Sequence, residues 1–248
     1  ELGAGATFSG ITTRTWHAPD GMLRAADPLE IAHENAGPYL VSTAAIAVEN
    51  THNFGGGTVA PITEIEKLAT SAHARGISMH LDGARIWNAH VETKIAFSEY
   101  GQYFDTVSVC LSKGLGAPVG SVLVSTHERI AKARIWRKRY GAGMRQIGIL
   151  AAAGHYALDN NINLLARDHA NARKLAAACG LTATDTNIVA IDVSDYPFNA
   201  SEYATTLKSN GILAGALGPN FVRLVTHMDL TDDDVETACE VLKRTLVA

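Results

Sequence analysis

Short apolar runs alternate with helix-like patterns in the first half of the chain, and this alternation restricts the choice of fold more than any other feature. The apolar run Thr43–Val48 lacks an alternating polar face, as expected for a strand covered on both sides. A helical pattern extends from Pro61 to Gly76, and Ile77–Asp82 is typical of the next strand. Because strand, helix and strand in this order imply right-handed crossovers, we predict an α/β fold with a mainly parallel sheet.

The patterns up to residue 139 predict three further elements of this first region and a basic helix. Strands are predicted at Thr106–Leu111 and Val119–Val124, and a weaker helix at about Glu92–Tyr100. His127–Arg139 has the pattern of a basic amphipathic helix, whose charged side chains we interpret as a solvated face.

The last third of the chain contains a second, smaller set of strands and helices. Strands are predicted at Asn187–Val193 and Phe221–Thr226, with a helix at Ala200–Ser209 and a final helix that Thr231 caps. We therefore predict a large domain over residues 1–158 and a smaller α+β domain over residues 159–248.

The composition excludes several classes of protein. The net charge is −4 and charged residues make up 19% of the chain, so we expect neither nucleic acid nor a membrane surface as a partner. Every apolar stretch is shorter than the roughly 18 residues that a membrane-spanning helix needs. Cys110, Cys179 and Cys239 form no CxxC pair, which favours reduced thiols in the cytoplasm over a structural zinc site. Since the chain starts at Glu1 and not at a methionine, we expect further residues upstream.

Two polar groups that follow predicted strands indicate the chemistry. Lys113 lies between an apolar run and a glycine-rich turn, and Asp82 ends the predicted strand Ile77–Asp82 earlier in the chain. A lysine that bonds to an aldehyde and an acid that protonates a pyridine nitrogen are the protein groups on which pyridoxal phosphate depends. Because ligands collect at the carboxyl ends of parallel strands, we predict that both residues face one pocket, with Ser112 as a further cofactor contact. Each motif alone is more often a turn or a surface loop.

Two arginines are candidates for binding a carboxylate. Arg223 lies inside the apolar strand Phe221–Thr226, where an unpaired charge is costly. Arg223 either forms a structural salt bridge or binds the α-carboxylate of a substrate through its planar guanidinium. Arg85 follows Asp82 by three residues and is within reach of either the cofactor's hydroxyl or that carboxylate.

Longer runs allow a comparison with a known family. They are HLDGARIWN at His80–Asn88, VSVCLSKGLGAPVGSVLV at Val107–Val124, GMRQ at Gly143–Gln146, ENTHN at Glu49–Asn53, and the segments Asp168–Ala172, Asp185–Asn187 and Val222–His227. Together they resemble the low-specificity L-threonine aldolases, which are fold-type-I pyridoxal-phosphate enzymes. The resemblance covers nearly the whole chain.

This resemblance implies a fold, a reaction and a set of roles. The fold would be an aspartate-aminotransferase-like large domain with a smaller C-terminal domain. The reaction would cleave a β-hydroxy-α-amino acid, such as threonine or allo-threonine, to glycine and an aldehyde. Lys113 would form the Schiff base and Asp82 would bind the pyridine nitrogen. Arg85 and Arg223 would contact the substrate carboxylate and the ring hydroxyl.

The resemblance also implies an assembly of subunits. Such enzymes are commonly homotetramers with active sites at dimer interfaces. Lys138 and Arg145 would lie near the cofactor phosphate, reaching in from a neighbouring subunit. His52, in a loop at a strand end, would line the site.

The chain departs from the family pattern in two places. About the first third of the usual large domain does not align with it, including a loop that holds the phosphate. At the position where the family often has a histidine that contacts the substrate hydroxyl, this chain has Tyr39. A phenol with a pKa near 10 is a poor base at neutral pH, so the identity of the base stays open.

Other functions remain compatible with the same residues. One is a different lyase that acts at Cβ: a phenylserine or β-hydroxyaspartate aldolase, or a β-eliminating lyase. Another is a non-catalytic fragment that serves in oligomerisation.

Overall fold

The first sheet is mainly parallel, and one of its strands carries Asp82 while the next leads to Lys113. The computed structural model describes residues 2–246. Within them this sheet has four strands in the order β1-β2-β3-β4, of which the first three are parallel. The strands are β1 Ala45–Glu49, β2 Ser78–Gly83, β3 Thr106–Cys110 and β4 Ser121–Ser125.

Strand β4 runs antiparallel to β3, so its direction is opposite to that of the other three strands. Only the short connection over residues 111–120 joins the two strands. A parallel neighbour needs a crossover of about a dozen residues or more, so this connection returns the chain as a hairpin.

Helices connect and cover the strands. Their bounds are α1 Ala4–Ser9, α2 Ala26–Glu30, α3 Ile62–Ala74, α4 Ile86–Thr93, α5 Phe97–Gly101, α6 His127–Arg139, α7 Gly148–Asn160, α8 Leu165–Ala178, α9 Ala200–Ser209 and α10 Asp232–Thr245, with a 3₁₀ turn at Ile162–Leu164. The single helix predicted at about Glu92–Tyr100 is wrong. Lys94 takes a left-handed conformation with φ of 64° and ends α4, so the chain restarts as α5.

One face of the first sheet packs on the large core. Ile46 and Val48 of β1 and Met79 and Leu81 of β2 are buried there against α3. The side chains that alternate with them along β1 are exposed. The expectation that β1 is covered on both faces is therefore wrong within the described chain. Alanines, which are apolar but small, occupy its open face and hide the alternation from a sequence pattern.

The second sheet has three antiparallel strands in the order β5-β7-β6 within residues 2–246. They are β5 Ile188–Asp192, β6 Gly215–Ala216 and β7 Phe221–Val225. Helices α8 and α10 pack against each other beside this sheet. The Thr231 side chain accepts a hydrogen bond from Asp234 N, so the predicted cap of the last helix is confirmed. The two-residue β6 is too short to give a sequence pattern.

Buried polar side chains join the two regions. Asn88 Nδ2 lies 3.1 Å from His169 Nε2 and 3.2 Å from Asn187 Oδ1. Since an amide nitrogen can only donate, His169 Nε2 accepts and Nδ1 carries the proton towards Glu92 Oε2, 3.2 Å away. Burial lowers the pKa of His169, which favours this neutral form. The predicted boundary at residue 158 falls in the last turn of α7, and the division into domains stays a prediction.

Helix α6 has a surface unlike that of its neighbours. Each of its residues is exposed or half-buried, including Ile135 and Trp136. The Arg139 guanidinium lies 4.7 Å from the centre of the Trp136 ring. The basic side chains of this helix therefore lie in solvent, as interpreted from the sequence.

Truncation of the core face of α3 should destabilise the chain strongly. Leu68 is fully buried. We expect Leu68→Ala to lower the free energy of unfolding by about 2–5 kcal/mol, because it removes packed methyl groups and leaves a cavity. Urea denaturation would measure the change, with the exposed Leu213→Ala as the matched control. Equal stabilities of the two variants would contradict this packing.

The carboxyl of Asp168 should make stability fall with rising pH. Burial raises its pKa from 3.8 to about 6. Between these two values the unfolded chain loses the proton before the folded chain does, so folding is progressively penalised. From pH 4 to pH 7, the wild type should lose up to about 3 kcal/mol of stability relative to Asp168→Asn. Urea unfolding at both pH values tests this, and the exposed Asp159→Asn is the control. Parallel pH profiles for wild type and Asp168→Asn would refute it.

Candidate active site

The carboxyl ends of the three parallel strands bring polar side chains to one edge of the open face. Glu49 pairs in register with Asp82, and Asp82 pairs in register with Ser108. Residues that pair in register point to the same face of a sheet. Cys110 ends β3 two residues after Ser108 and lies on that face as well.

A cavity of about 810 Å³ opens over this edge. Asp82 and Lys113 both line it, so the structure brings the two predicted residues together. Helix α1 contributes Ala4 and Phe8 to the apolar part of the wall. The lining residues are Leu2, Ala4, Thr7, Phe8, Asp82, Ala84, Ser108, Val109, Cys110, Lys113 and Ser121.

The turn that follows β2 orients Asp82. Its Oδ1 accepts the Ala84 N–H at 3.0 Å, which holds the carboxylate at the strand end. A Cβ at Gly83 would lie 3.0 Å from the Ser108 carbonyl oxygen of the neighbouring strand, so glycine allows β2 and β3 to approach closely beside Asp82.

Lys113 contacts a residue to which the sequence assigns no role. Its Nζ donates to Cys110 Sγ at 3.1 Å. The backbone of Cys110 is itself held, because its carbonyl oxygen accepts the Trp87 Nε1–H at 2.8 Å. Ser112 is exposed beside them. The hydrogen bond to Cys110 thus orients the Lys113 amine at the end of β3.

Arg85 is largely buried, next to one carboxylate. Its Nη1 lies 4.0 Å from Glu49 Oε1, and 12% of its side chain is exposed. Burial lowers the pKa of Arg85, Glu49 opposes this shift, and the positive charge of Arg223 reinforces it. A guanidinium stays charged in proteins. Two cations therefore share this side of the site.

Arg223 reaches the first sheet from the second. It lies in the central strand β7, and its Nη1 donates to Asn53 Oδ1 at 2.7 Å. Its Nε is buried and has no hydrogen-bond acceptor among residues 2–246. A structural salt bridge, which was one interpretation of Arg223, is not formed within the described residues. A buried N–H without a partner is uncommon, and a bound carboxylate or carbonyl oxygen would satisfy it.

The remaining predicted residues lie at other places. His52 follows β1 and its Nδ1 is 3.2 Å from the Gly21 carbonyl oxygen. Tyr39 precedes β1, at the opposite end of the strand from Glu49, and its side chain is 93% exposed. Lys138 lies in the last turn of α6 and Arg145 lies in the segment that follows this helix, and both are exposed. Within one copy of the chain, none of these four residues lines the cavity that Asp82 and Lys113 share. Ser112, Arg85 and Arg223 are not among its lining residues either.

Sequence reasoning missed Cys110 and Asn53. Cys110 precedes Lys113 by three residues, a spacing that could have suggested contact at a strand end. Asn53 belongs to the ENTHN run, but its partner Arg223 is 170 residues away. No local pattern indicates a contact over such a distance.

The three thiols should differ in reactivity. Burial raises the pKa of Cys179 to about 12 and also raises the pKa of Cys239. The thiolate is the reactive form, and Cys110 lines an open cavity, so we expect iodoacetamide to label Cys110 first. Peptide mass spectrometry would locate the label, and Cys110→Ser should remove the fast phase while Cys179→Ser keeps it. Fast labelling of Cys179 or Cys239 would argue against this arrangement.

Known proteins share both the sequence and the fold. The profile of the beta-eliminating lyase family matches residues 1–195. The probable low-specificity L-threonine aldolase 2 of Arabidopsis thaliana is 41% identical over 78% of this chain, and the chain spans 57% of that protein's length. Low-specificity L-threonine aldolase 1 of the same plant is 35% identical over 95% of this chain and 69% of its own length.

A solved structure agrees with these relatives. The threonine aldolase of Leishmania major has a TM-score of 0.80 to this chain at 23% identity, over 99% of this chain and 76% of its own. The predicted α/β fold of the fold-type-I class is therefore confirmed. With the family profile and the plant relatives, this assigns the chain to the beta-eliminating lyase family, among the low-specificity L-threonine aldolases.

Proposed function

We propose that this chain forms the catalytic part of a pyridoxal-phosphate-dependent aldolase. It would cleave L-threonine, L-allo-threonine or a related β-hydroxy-α-amino acid to glycine and an aldehyde. The main observation that supports the proposal is that Asp82 and Lys113 line the same cavity. The family relatives support the same reaction class.

The residues in the cavity fit the cofactor. Lys113 supplies the amine for its aldehyde, and Asp82 supplies a carboxylate for its pyridine nitrogen. The bound cofactor supplies an acceptor for the electron pair of the bond that breaks at Cα. Asp82 holds a proton on the ring nitrogen through a charge-assisted hydrogen bond. Ser112 lies next to Lys113 as a further contact.

The two arginines would select the bond that breaks. Arg223 would offer its unpaired Nε–H to the substrate carboxylate, and Arg85 would bind the ring hydroxyl or the same carboxylate. Only the Cα bond perpendicular to the cofactor ring can release its electrons into the ring. A carboxylate fixed near the ring plane leaves the Cα–Cβ bond free to take that direction.

A base must accept the β-hydroxyl proton when Cα and Cβ separate. The aldehyde then leaves, and a proton returns to Cα to give glycine. His52 is our candidate, because it follows the strand end at Glu49 and a neutral imidazole has one ring nitrogen that can accept a proton. Tyr39 is the alternative, and it would have to move from its exposed position or act in a second subunit.

We further propose a homo-oligomer, a dimer or a tetramer, in the cytoplasm. Lys138 and Arg145 lie outside the cavity of their own chain, which supports a role at the cofactor phosphate of a neighbouring copy. Among residues 2–246, every helix is too short or too polar to cross a bilayer. The cytoplasmic location rests on the cysteines, because Cys110, Cys179 and Cys239 are free thiols.

Other reactions on the same residues give different products. A β-eliminating lyase releases ammonia and a 2-oxo acid, such as pyruvate, instead of glycine and an aldehyde. A phenylserine or β-hydroxyaspartate aldolase gives glycine with another aldehyde. A non-catalytic fragment gives neither product. Quantification of glycine, ammonia and aldehyde from one incubation separates these cases.

Substitution of the two central residues should give different defects. Lys113→Ala should abolish the visible absorbance that follows addition of pyridoxal phosphate, and glycine formation with it. Asp82→Asn should keep the absorbance but lower the rate of glycine formation on the order of a hundredfold, because the ring nitrogen loses its charged partner. The exposed Lys67→Ala is the matched control. A Lys113→Ala variant that keeps the absorbance would overturn the assignment of the lysine.

A further inference from the structure

A connected set of polar groups joins the two arginines across the sheets. Arg85 Nη1 lies 4.0 Å from Glu49 Oε1. The same Glu49 oxygen accepts the Asn53 N–H at 3.1 Å. Asn53 Oδ1 then accepts the Arg223 Nη1–H at 2.7 Å. Glu49 and Asn53 therefore lie between the two guanidiniums, one at a strand end and one in the loop that follows.

The two arginines have partners of unequal charge. Arg85 faces the carboxylate of Glu49, whereas Arg223 is bonded to a neutral amide. A carboxylate at either partner would offset a guanidinium charge, but an amide oxygen orients the guanidinium without offsetting its charge. Arg223 thus keeps an uncompensated charge and a buried Nε–H without an acceptor in the described chain.

The loop that carries Asn53 is held against the second sheet. Thr186 Oγ1 donates to the Gly57 carbonyl oxygen at 2.8 Å, and Asp185 Oδ2 accepts the Val59 N–H at 2.9 Å. Gly57 has a φ of 79°, and a Cβ there would lie 2.7 Å from Thr186 Oγ1, so glycine is required at this approach. These contacts give Asn53 a fixed position opposite Arg223.

We propose that Asn53 and Glu49 are positioning residues that give Arg223 and Arg85 different roles. Asn53 points Arg223 at the carboxylate of an amino acid while leaving its full charge available. Glu49 compensates Arg85, which confines the strongest attraction for an anion to Arg223. This assignment rests on the proposed function and specifies which groups recognise the α-carboxylate.

The test compares the binding of two amines to the chain loaded with pyridoxal phosphate. Glycine carries an amine and a carboxylate but has no Cβ bond to cleave, and methylamine carries the amine alone. Isothermal titration calorimetry gives both affinities. We expect Asn53→Asp to weaken glycine binding roughly 10- to 100-fold, because the new carboxylate neutralises Arg223. Methylamine binding should not change.

Glu49→Gln should behave in the opposite way. Its amide oxygen can still accept the Asn53 N–H, but Arg85 loses its compensating charge, so glycine should bind as tightly as to wild type or more tightly. Asn163→Asp adds the same charge at an exposed position and is the matched control. Equal loss of glycine and methylamine affinity in Asn53→Asp, or unchanged glycine affinity, would overturn the proposal.

The outcome separates this inference from the proposed reaction. If wild type binds glycine and Asn53→Asp weakens it, but threonine yields no glycine, the reaction is wrong and the positioning role stands. If wild type cleaves threonine and Asn53→Asp binds glycine normally, the positioning role is wrong. A wild-type chain without affinity for glycine would also overturn the inference.

Discussion

The parallel register of β1, β2 and β3 is the constraint on which the rest of the site depends. Ile46, Val48, Met79 and Leu81 face the core, and burial of these side chains specifies the register. Because side chains alternate along a strand, the same register turns Glu49, Asp82 and Ser108 to the opposite face. A slip of one residue would bury Asp82 and expose core leucine. The hydrophobic core therefore positions the acid at the cavity without contacting it.

The second constraint is the loop that follows β1, because it links the two sheets. Its far end is held by a hydrogen bond that Asp185 accepts and one that Thr186 donates, and Asn53 accepts a hydrogen bond from Arg223 of β7. The residues of the candidate site thus come from two parts of the structure. The strand ends provide the lysine and the acid, while the second sheet provides a cation across the loop. A change in how the two regions pack would alter the arginine pair before it altered Asp82 or Lys113.

Much of the secondary structure was predictable, and the failures have specific causes. The buried face of α3 and the cap at Thr231 follow from the local spacing of residues, and the structure contains both. The direction of β4 depends on a ten-residue connection that holds no helix, so the run Val119–Val124 predicted a strand but not its orientation. The predicted cover on both faces of β1 failed because Ala45 and Ala47 are apolar yet exposed. Lys94 divided one predicted helix into two through a left-handed backbone that residue type alone does not reveal.

The sequence by itself indicated the main strands and helices in order, the candidate lysine, the acid thirty-one residues before it and the family to which the chain belongs. These features are local or lie in runs long enough to compare. Only the tertiary structure decided that Cys110 supports Lys113, that Asn53 receives Arg223 and that Glu49 offsets only one of the two arginines. Such contacts depend on which faces and loops pack together when distant segments fold. The spacing of residues along the chain does not predict these contacts.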